Sequence, residues 1–82
     1  MDERRRLPRT VIWKPAEIEL PDTASVADCI VVDINSAGAQ LLLPAGLQAA
    51  NEFRFSFDHF RSVRKCRVAW QNNRSLGAEF YT

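Results

Sequence analysis

Short apolar runs recur along this chain at intervals of about ten to twelve residues, and turn-forming residues separate them. In the first run, residues 11–20, Ala16, Ile18 and Leu20 fall on one face of an extended segment, while glutamates fall on the other. Pro15 interrupts the alternation, and proline cannot donate to a sheet ladder, which predicts an edge position or a bulge. The run therefore predicts a first strand with an irregularity in its first half.

Five more runs predict strands over residues 27–34, 39–43, 53–57, 65–70 and 76–81. The second strand is almost continuously apolar, as expected where little solvent reaches either face. In the last three, strict alternation predicts inward-facing residues, namely Phe53, Phe55, Phe57, Cys66, Val68, Trp70, Leu76, Ala78 and Phe80. No segment predicts a convincing helix. An all-β, six-stranded antiparallel barrel is the predicted fold, because closure buries one face of a small sheet and hides its edges.

The length and composition fit one soluble domain. The chain has 82 residues, of which 46% are hydrophobic and 26% are charged, with a net charge of +1. Its charge is uneven, because the start of the chain holds Arg4, Arg5, Arg6 and Arg9. We therefore divide the chain into a flexible basic arm over residues 1–9 and a barrel domain over residues 10–82.

The two cysteines and the hydropathy pattern bear on cellular location. Cys29 and Cys66 both lie in apolar runs, where a free thiol packs as a small hydrophobe, so we expect no disulfide between them. The sequence contains no signal peptide, which makes a reducing, cytoplasmic setting the default expectation. No apolar run approaches the roughly 20 residues needed to span a bilayer, so membrane insertion is not expected.

The residues that usually carry catalysis are sparse and scattered. His59 is the single histidine and lies in a predicted turn, without a nucleophile placed beside it. One histidine and two separated cysteines do not supply the clustered ligands of a zinc site. The three glycines lie far apart, so there is no phosphate-binding glycine loop. These features argue against an enzyme, and we expect neither a metal nor a cofactor.

Two polar segments remain as candidate binding chemistry. Residues 33–38 form a turn rich in Asp, Asn, Ser and Gly between two buried strands. In the arm, Arg5 and Arg9 are separated by roughly 13 Å if the chain is extended at about 3.3 Å per residue. Each guanidinium offers a rigid fork of donors that suits a phosphate or the acceptor edge of guanine. Taken alone, however, the arm is equally consistent with a solvated basic tail.

Together these segments resemble the PilZ domain family, whose pattern is RxxxR followed some 20 to 30 residues later by D/N-x-S-x-x-G. Here Arg5 and Arg9 match the first motif, and Asp33, Asn35 and Gly38 match the second. The last two predicted strands, with CRVAW at residues 66–70 and LGAEF at residues 76–80, also look like those of small bacterial PilZ proteins. The resemblance covers nearly the whole sequence and implies a split barrel.

The resemblance implies a non-enzymatic receptor for the bacterial second messenger cyclic di-GMP, which signals to a downstream protein partner. In the family, the arm wraps the nucleotide, so Arg5 and Arg9 are expected to contact phosphate and guanine. Asp33 is expected to accept from guanine N1–H and N2–H, and Gly38 to keep the turn tight beneath the base. Further contacts are expected from Arg4, Arg6 and Ser36.

Two departures from the family leave alternatives open. The family serine is replaced by Asn35, whose amide either supplies the same hydrogen bond or misplaces it. A helix that commonly follows the barrel is also missing from this sequence, which ends at Thr82, so either it is dispensable or something else covers that surface. One alternative is therefore a PilZ-type protein-interaction module that does not bind nucleotide. Another is a barrel that binds single-stranded nucleic acid through Arg64, Lys65, Arg67 and Trp70, although the near-neutral charge and inward aromatic pattern argue against it.

Overall fold

A computed structural model describes residues 8–21, 25–49 and 51–81 of the chain, and these residues form six strands and no helix. The strands are β1 (Thr10–Leu20), β2 (Ser25–Ile34), β3 (Gly38–Leu42), β4 (Glu52–Ser56), β5 (Arg64–Gln71) and β6 (Ser75–Phe80). They close into a barrel in the order β1-β2-β3-β6-β5-β4, and every neighbouring pair is antiparallel. The predicted six-stranded antiparallel barrel is confirmed.

The core lies inside the barrel and is built from alternate residues of each strand. Ala16, Ile18 and Leu20 of β1 are buried, as the alternation predicts. The remaining members of the core are Cys29, Val31, Ala39, Leu41, Leu43, Phe53, Phe55, Cys66, Leu76 and Ala78. Both cysteines are buried free thiols, as expected from their apolar runs. Among the described residues no helix could cross a membrane.

Two aromatic residues predicted to face inward are more exposed than expected. Phe57 lies just beyond the end of β4 and is 37% exposed, with its ring edge-to-face against Phe55. Trp70 is 43% exposed because a β-bulge lies between Val68 and Trp70, so that Trp70 pairs with Gly77 instead of continuing the inward alternation. One extra residue in a strand moves every later side chain to the other face of the sheet. The inward assignment of Trp70 is therefore wrong, whereas Phe57 packs on the core ring of Phe55 but is only partly covered.

Two more bulges meet on opposite sides of Val32. On the β1 side, the register shifts between Val11 and Lys14, close to Pro15, so the predicted irregularity is present as a bulge. On the β3 side, the register shifts between Val31 and Asp33. The sheet is thus distorted on both edges of β2 at the end of the barrel where β1 begins and the β2–β3 turn lies.

Candidate functional site

Strand pairing brings the end of the arginine arm beside the β2–β3 turn. Thr10 is the partner of Ile34, and Val11 is the partner of Asp33, so Arg9 enters β1 next to the turn. This placement follows from the antiparallel β1–β2 pairing, in which the first residues of β1 meet the last residues of β2. The described parts of the two sequence motifs, more than 20 residues apart in the chain, are therefore neighbours in space.

Arg9 and Asp33 form an ion pair across this junction. The Arg9 Nη1 atom donates to Asp33 Oδ1 at 2.7 Å. The Asp33 side chain is 12% exposed and the Arg9 side chain is 41% exposed, so the pair lies at the surface with its carboxylate largely covered. A partly buried carboxylate requires such a partner, because burying an unpaired charge is costly. The pair leaves a cation and an acceptor side by side at one point of the surface.

The bulge at Val32 places Asp33 on the outer face of the barrel. Val31 pairs with Leu41, which is buried in the core, whereas Asp33 pairs with Gln40 on the outer side of β3. Without the extra residue, Asp33 would share the inward face of Val31. The bulge therefore takes an ionisable side chain off the inward row of Val31 and sets it beside Arg9, where Asp33 is 9% exposed and its charge is paired.

Asn35 organises the turn that follows Asp33. Its Oδ1 atom accepts from the backbone N–H of Ala37 at 2.8 Å and from that of Gly38 at 3.0 Å. The Asn35 N–H in turn donates to the carbonyl oxygen of Gly38 at 2.9 Å. This is an asparagine turn, in which the side-chain oxygen replaces a backbone acceptor. Asn35 thus fills an acceptor role that a serine hydroxyl can also fill.

The other half of the Asn35 amide is unsatisfied. Its Nδ2 atom is buried and has no hydrogen-bond partner within the described parts of the chain. Reversing the amide would place Nδ2 against two backbone donors, so the orientation is fixed by the turn. The substitution of asparagine for the family serine therefore keeps the turn but adds a donor that the turn does not use.

Gly38 is required by the close approach of β3 and β6. A Cβ atom at this position would lie 2.0 Å from the carbonyl oxygen of Ala78, in the backbone of β6. Gly38 does not have a positive φ, so its role in the fold is the space it leaves for the neighbouring strand. That close packing fixes the far side of the turn relative to the barrel wall.

Of the other predicted ligand contacts, Ser36 lies within the described residues. Ser36 is exposed at the tip of the turn and is free to face a ligand. Arg4, Arg5 and Arg6, together with the rest of residues 1–7, lie outside the described residues, so their predicted contacts remain predictions. The expected mobility of the arm remains a prediction for the same reason.

Trp13, which was not among the predicted site residues, lies close to this region in β1. It lies in the β1 bulge with a φ of 46°, and its side chain is 59% exposed. Residue Ile12, its neighbour, packs against the core, which leaves the indole on the solvent side. Its position two residues before Pro15, where the strand pattern is broken, was the signal available in the sequence.

The surface considered for single-stranded nucleic acid is a weak candidate. Trp70 does face outward, contrary to prediction, but its indole lies against Gly77, where an added Cβ would approach Nε1 to 2.2 Å. The Arg67 guanidinium lies 4.9 Å from the Tyr81 ring centroid. Arg67 also pairs in register with two acidic residues, Glu52 and Glu79. Neighbouring carboxylates oppose the binding of a polyanion, so this face lacks the continuous basic groove that such ligands need.

Other potential sites offer less chemistry. His59 has an 89% exposed side chain and its Nδ1 atom lies 2.7 Å from Glu17 Oε1, which fits a surface turn residue. Within the described residues no cluster of three potential metal ligands occurs. A broad depression of about 650 Å³ lies at the opposite end of the barrel, and its lining is uncharged: Gly46, Leu47, Gln48, Gln71, Asn72 and Asn73. It offers no cation to an anionic ligand.

Comparison with known families agrees with the arrangement of these motifs. A family model described as PilZ domain matches residues 3–82, a range that includes both the arginine pair and the turn. No curated protein matches the chain.

Proposed function

The chain belongs to the PilZ domain family, a family of cyclic di-GMP-binding and adaptor domains, and we propose that it binds cyclic di-GMP as a receptor without catalytic activity of its own. The observation that carries the proposal is the Arg9–Asp33 ion pair, with 2.7 Å between Nη1 and Oδ1. It brings a guanidinium and a carboxylate from the two motifs to one surface point. We further propose that the receptor acts in the bacterial cytoplasm.

The chemistry of guanine matches this pair of side chains. Guanine presents N1–H and N2–H donors along one edge, and an ionised carboxylate is a pure acceptor with two oxygens. The O6 and N7 atoms of guanine and the phosphate oxygens are acceptors that suit the forked donors of arginine. Asp33 is thus proposed to hold the donor edge of guanine, while Arg9 contacts a phosphate or the acceptor edge.

When cyclic di-GMP binds, Arg9 and Asp33 exchange each other for the ligand, and neither of the two charges is left unpaired. In the free chain, Arg9 occupies one Asp33 oxygen. When guanine donates to both oxygens, Arg9 is released to the ligand and its charge is paired with phosphate. The exchange keeps the number of charge-assisted hydrogen bonds nearly constant, so the net affinity depends on additional contacts. We propose Arg5 as the principal additional contact, with Arg4, Arg6 and Ser36 as further ones.

The proposed signal is a change in the arm. If Arg5 and Arg9 close on the nucleotide, residues at the start of the chain become ordered against the barrel, and that new surface is what a downstream protein partner recognises. Asn35 supports the proposed site indirectly, because the turn it stabilises positions Asp33.

Isothermal titration calorimetry with cyclic di-GMP tests the proposal. We expect binding by the native chain, and a loss of affinity of about 10-fold or more in Arg9→Ala and Asp33→Asn, since a hydrogen bond to a charged group contributes about 1.5–3 kcal/mol. The matched control is Arg54→Ala. Arg54 also forms a surface ion pair, with Glu19, and its side chain is 43% exposed against 41% for Arg9, but it lies on the β1–β4 side of the barrel.

The outcomes separate the candidate functions. Equal losses in Arg9→Ala and Arg54→Ala would mean that this site is not the ligand site. Absence of heat from a native chain that is folded by circular dichroism would contradict cyclic di-GMP binding altogether. That second result would favour a nucleotide-independent protein-interaction module.

A further inference from the structure

Trp13 occupies the β1 bulge in a backbone conformation that glycine, not a bulky residue, usually adopts there. Its φ of 46° lies in the left-handed region, which bulky residues rarely adopt. The other non-glycine residues with positive φ among those described are His59 and Phe60. They lie in the β4–β5 loop, where Ser56 Oγ accepts from the Phe60 N–H at 2.9 Å and holds the chain. No comparable side-chain bond fixes Trp13 within the described residues.

Burial does not compensate for this strain either. The Trp13 side chain is 59% exposed, although an indole is among the side chains that gain most from leaving water. The second tryptophan, Trp70, shows the contrast, because it covers Gly77 and is exposed to a smaller extent, 43%. A strained residue that leaves a large aromatic surface in water is a reason to look for a ligand.

The position of Trp13 identifies which ligand it can meet. Val11 pairs directly with Asp33, and Trp13 is two residues farther along β1, a separation from Val11 of at most about 7 Å even for a fully extended chain. Ile12 packs against the core, so Trp13 lies on the outer side of the sheet, which is also the side of Asp33. An indole at this distance is within reach of a purine whose edge is held by Asp33.

Stacking supplies an interaction that the charged residues do not. Arg9 and Asp33 bond to atoms in the plane of a guanine, whereas an indole contacts its face. A base held by its edge alone can tilt about those hydrogen bonds, and an aromatic platform prevents that motion. We propose that Trp13 stacks on one guanine of the bound cyclic di-GMP, an inference that rests on the proposed function.

Tryptophan fluorescence in a Trp70→Phe background tests this proposal, because Trp13 is then the only tryptophan. We expect titration with cyclic di-GMP to quench the emission, with a midpoint equal to the Kd from calorimetry. Trp13→Ala is expected to weaken binding by about 10-fold, within the range measured for stacked bases, and Trp13→Phe to weaken it less. Val26→Ala is the control, since Val26 is also an exposed apolar residue, 52% exposed, but lies at the opposite end of the barrel.

The results distinguish this inference from the function on which it rests. If the native chain binds cyclic di-GMP but Trp13→Ala binds equally well and the Trp70→Phe chain shows no quenching, the stacking role is overturned and the receptor function stands. If the native chain does not bind, the receptor function itself fails. Circular dichroism of each variant ensures that a lost fold is not counted as a lost contact.

Discussion

The amide of Asn35 carries two opposite contributions to stability. Its oxygen satisfies the backbone N–H groups of Ala37 and Gly38, while its nitrogen is buried without a partner. A buried unsatisfied donor costs free energy comparable to what a hydrogen bond contributes. The Asn35 side chain therefore stabilises the turn beside Asp33, but its buried nitrogen reduces the net stability that the turn contributes.

Replacing Asn35 separates the two contributions. Asn35→Ala removes the acceptor of two backbone donors, and we expect the free energy of unfolding to fall by about 1–3 kcal/mol. Asn35→Ser keeps an oxygen and removes the unsatisfied nitrogen, so we expect a change below about 1 kcal/mol and retained affinity for cyclic di-GMP. Urea denaturation measures the first expectation and calorimetry the second.

Asn72 provides a matched control for the Asn35 variants. Its Oδ1 atom accepts from the N–H groups two and three residues later, at 3.4 Å and 3.0 Å, but it lies in an exposed turn. Water can replace the lost acceptor there, so Asn72→Ala should cost less than Asn35→Ala. Equal costs would show that burial of the β2–β3 turn does not matter.

At the scale of strands, the hydrophobic periodicity predicted the number and pairing of the strands but not the positions of the β-bulges. The six strands, their antiparallel closure and the inward faces of β1 and β6 follow from alternation, because one face of each strand must leave water. The bulges at Trp13, Val32 and Ala69 do not follow from it. Each adds one residue whose cost and position depend on the partner strand, so Trp70 was placed on the wrong face and Trp13 was overlooked.

The candidate site was predictable in part for a related reason. The sequence motifs identified Arg9 and Asp33 as candidate ligand contacts. The β1–β2 register of the structure then places these two residues side by side. The motif did not reveal that Asn35 uses its oxygen for the turn, or that Gly38 makes room for Ala78, since both depend on backbone atoms of other segments.

The packing of β6 against its neighbours predicts different costs for two glycine substitutions. At Gly38 an added Cβ meets the backbone oxygen of Ala78 at 2.0 Å, so β3 and β6 must separate. At Gly77 the Cβ meets the indole of Trp70, which can move into solvent. We expect Gly38→Ala to lower the free energy of unfolding by about 2–3 kcal/mol and Gly77→Ala by about 1 kcal/mol or less. Urea denaturation measures both.

A second substitution checks the reason for that difference. In a Trp70→Ala background the obstacle to a side chain at residue 77 is gone, so Gly77→Ala should become nearly neutral. The cost of Gly38→Ala should stay the same, because its obstacle is backbone. A cost of Gly77→Ala that persists without Trp70 would contradict this explanation.

For the whole molecule, closure of the barrel buries two thiols in opposite parts of its wall. Cys29 lies on β2 and Cys66 on β5, and they are 4% and 0% exposed. The pKa of each thiol is raised from 9.0 to about 12, chiefly because burial disfavours the thiolate, and for Cys29 the charges of Asp28 and Glu17 contribute to the rise. For Cys66, the charge of Arg64 acts in the opposite direction without reversing the shift.

These raised pKa values predict that the fold loses stability at alkaline pH. Below pH 9 both thiols are protonated in the folded and unfolded chains, so they add no pH dependence. Between pH 9 and about 12 the unfolded chain releases these protons while the folded chain keeps them, and stability falls as pH rises. The expected slope is up to about 1.4 kcal/mol per pH unit for each thiol.

Urea denaturation from pH 8 to pH 11 measures that slope, and the Cys29→Ala, Cys66→Ala double variant is the control. The double variant should be less stable at every pH, because alanine leaves cavities in the core. Its stability should nevertheless fall less steeply above pH 9, since the thiols no longer contribute to the pH dependence. The two chains are compared by how steeply the free energy of unfolding falls with pH, because a cavity lowers stability by the same amount at every pH. Parallel curves for the two chains would mean that the thiols ionise equally in the folded and unfolded states, and that solvent enters the barrel wall at these positions.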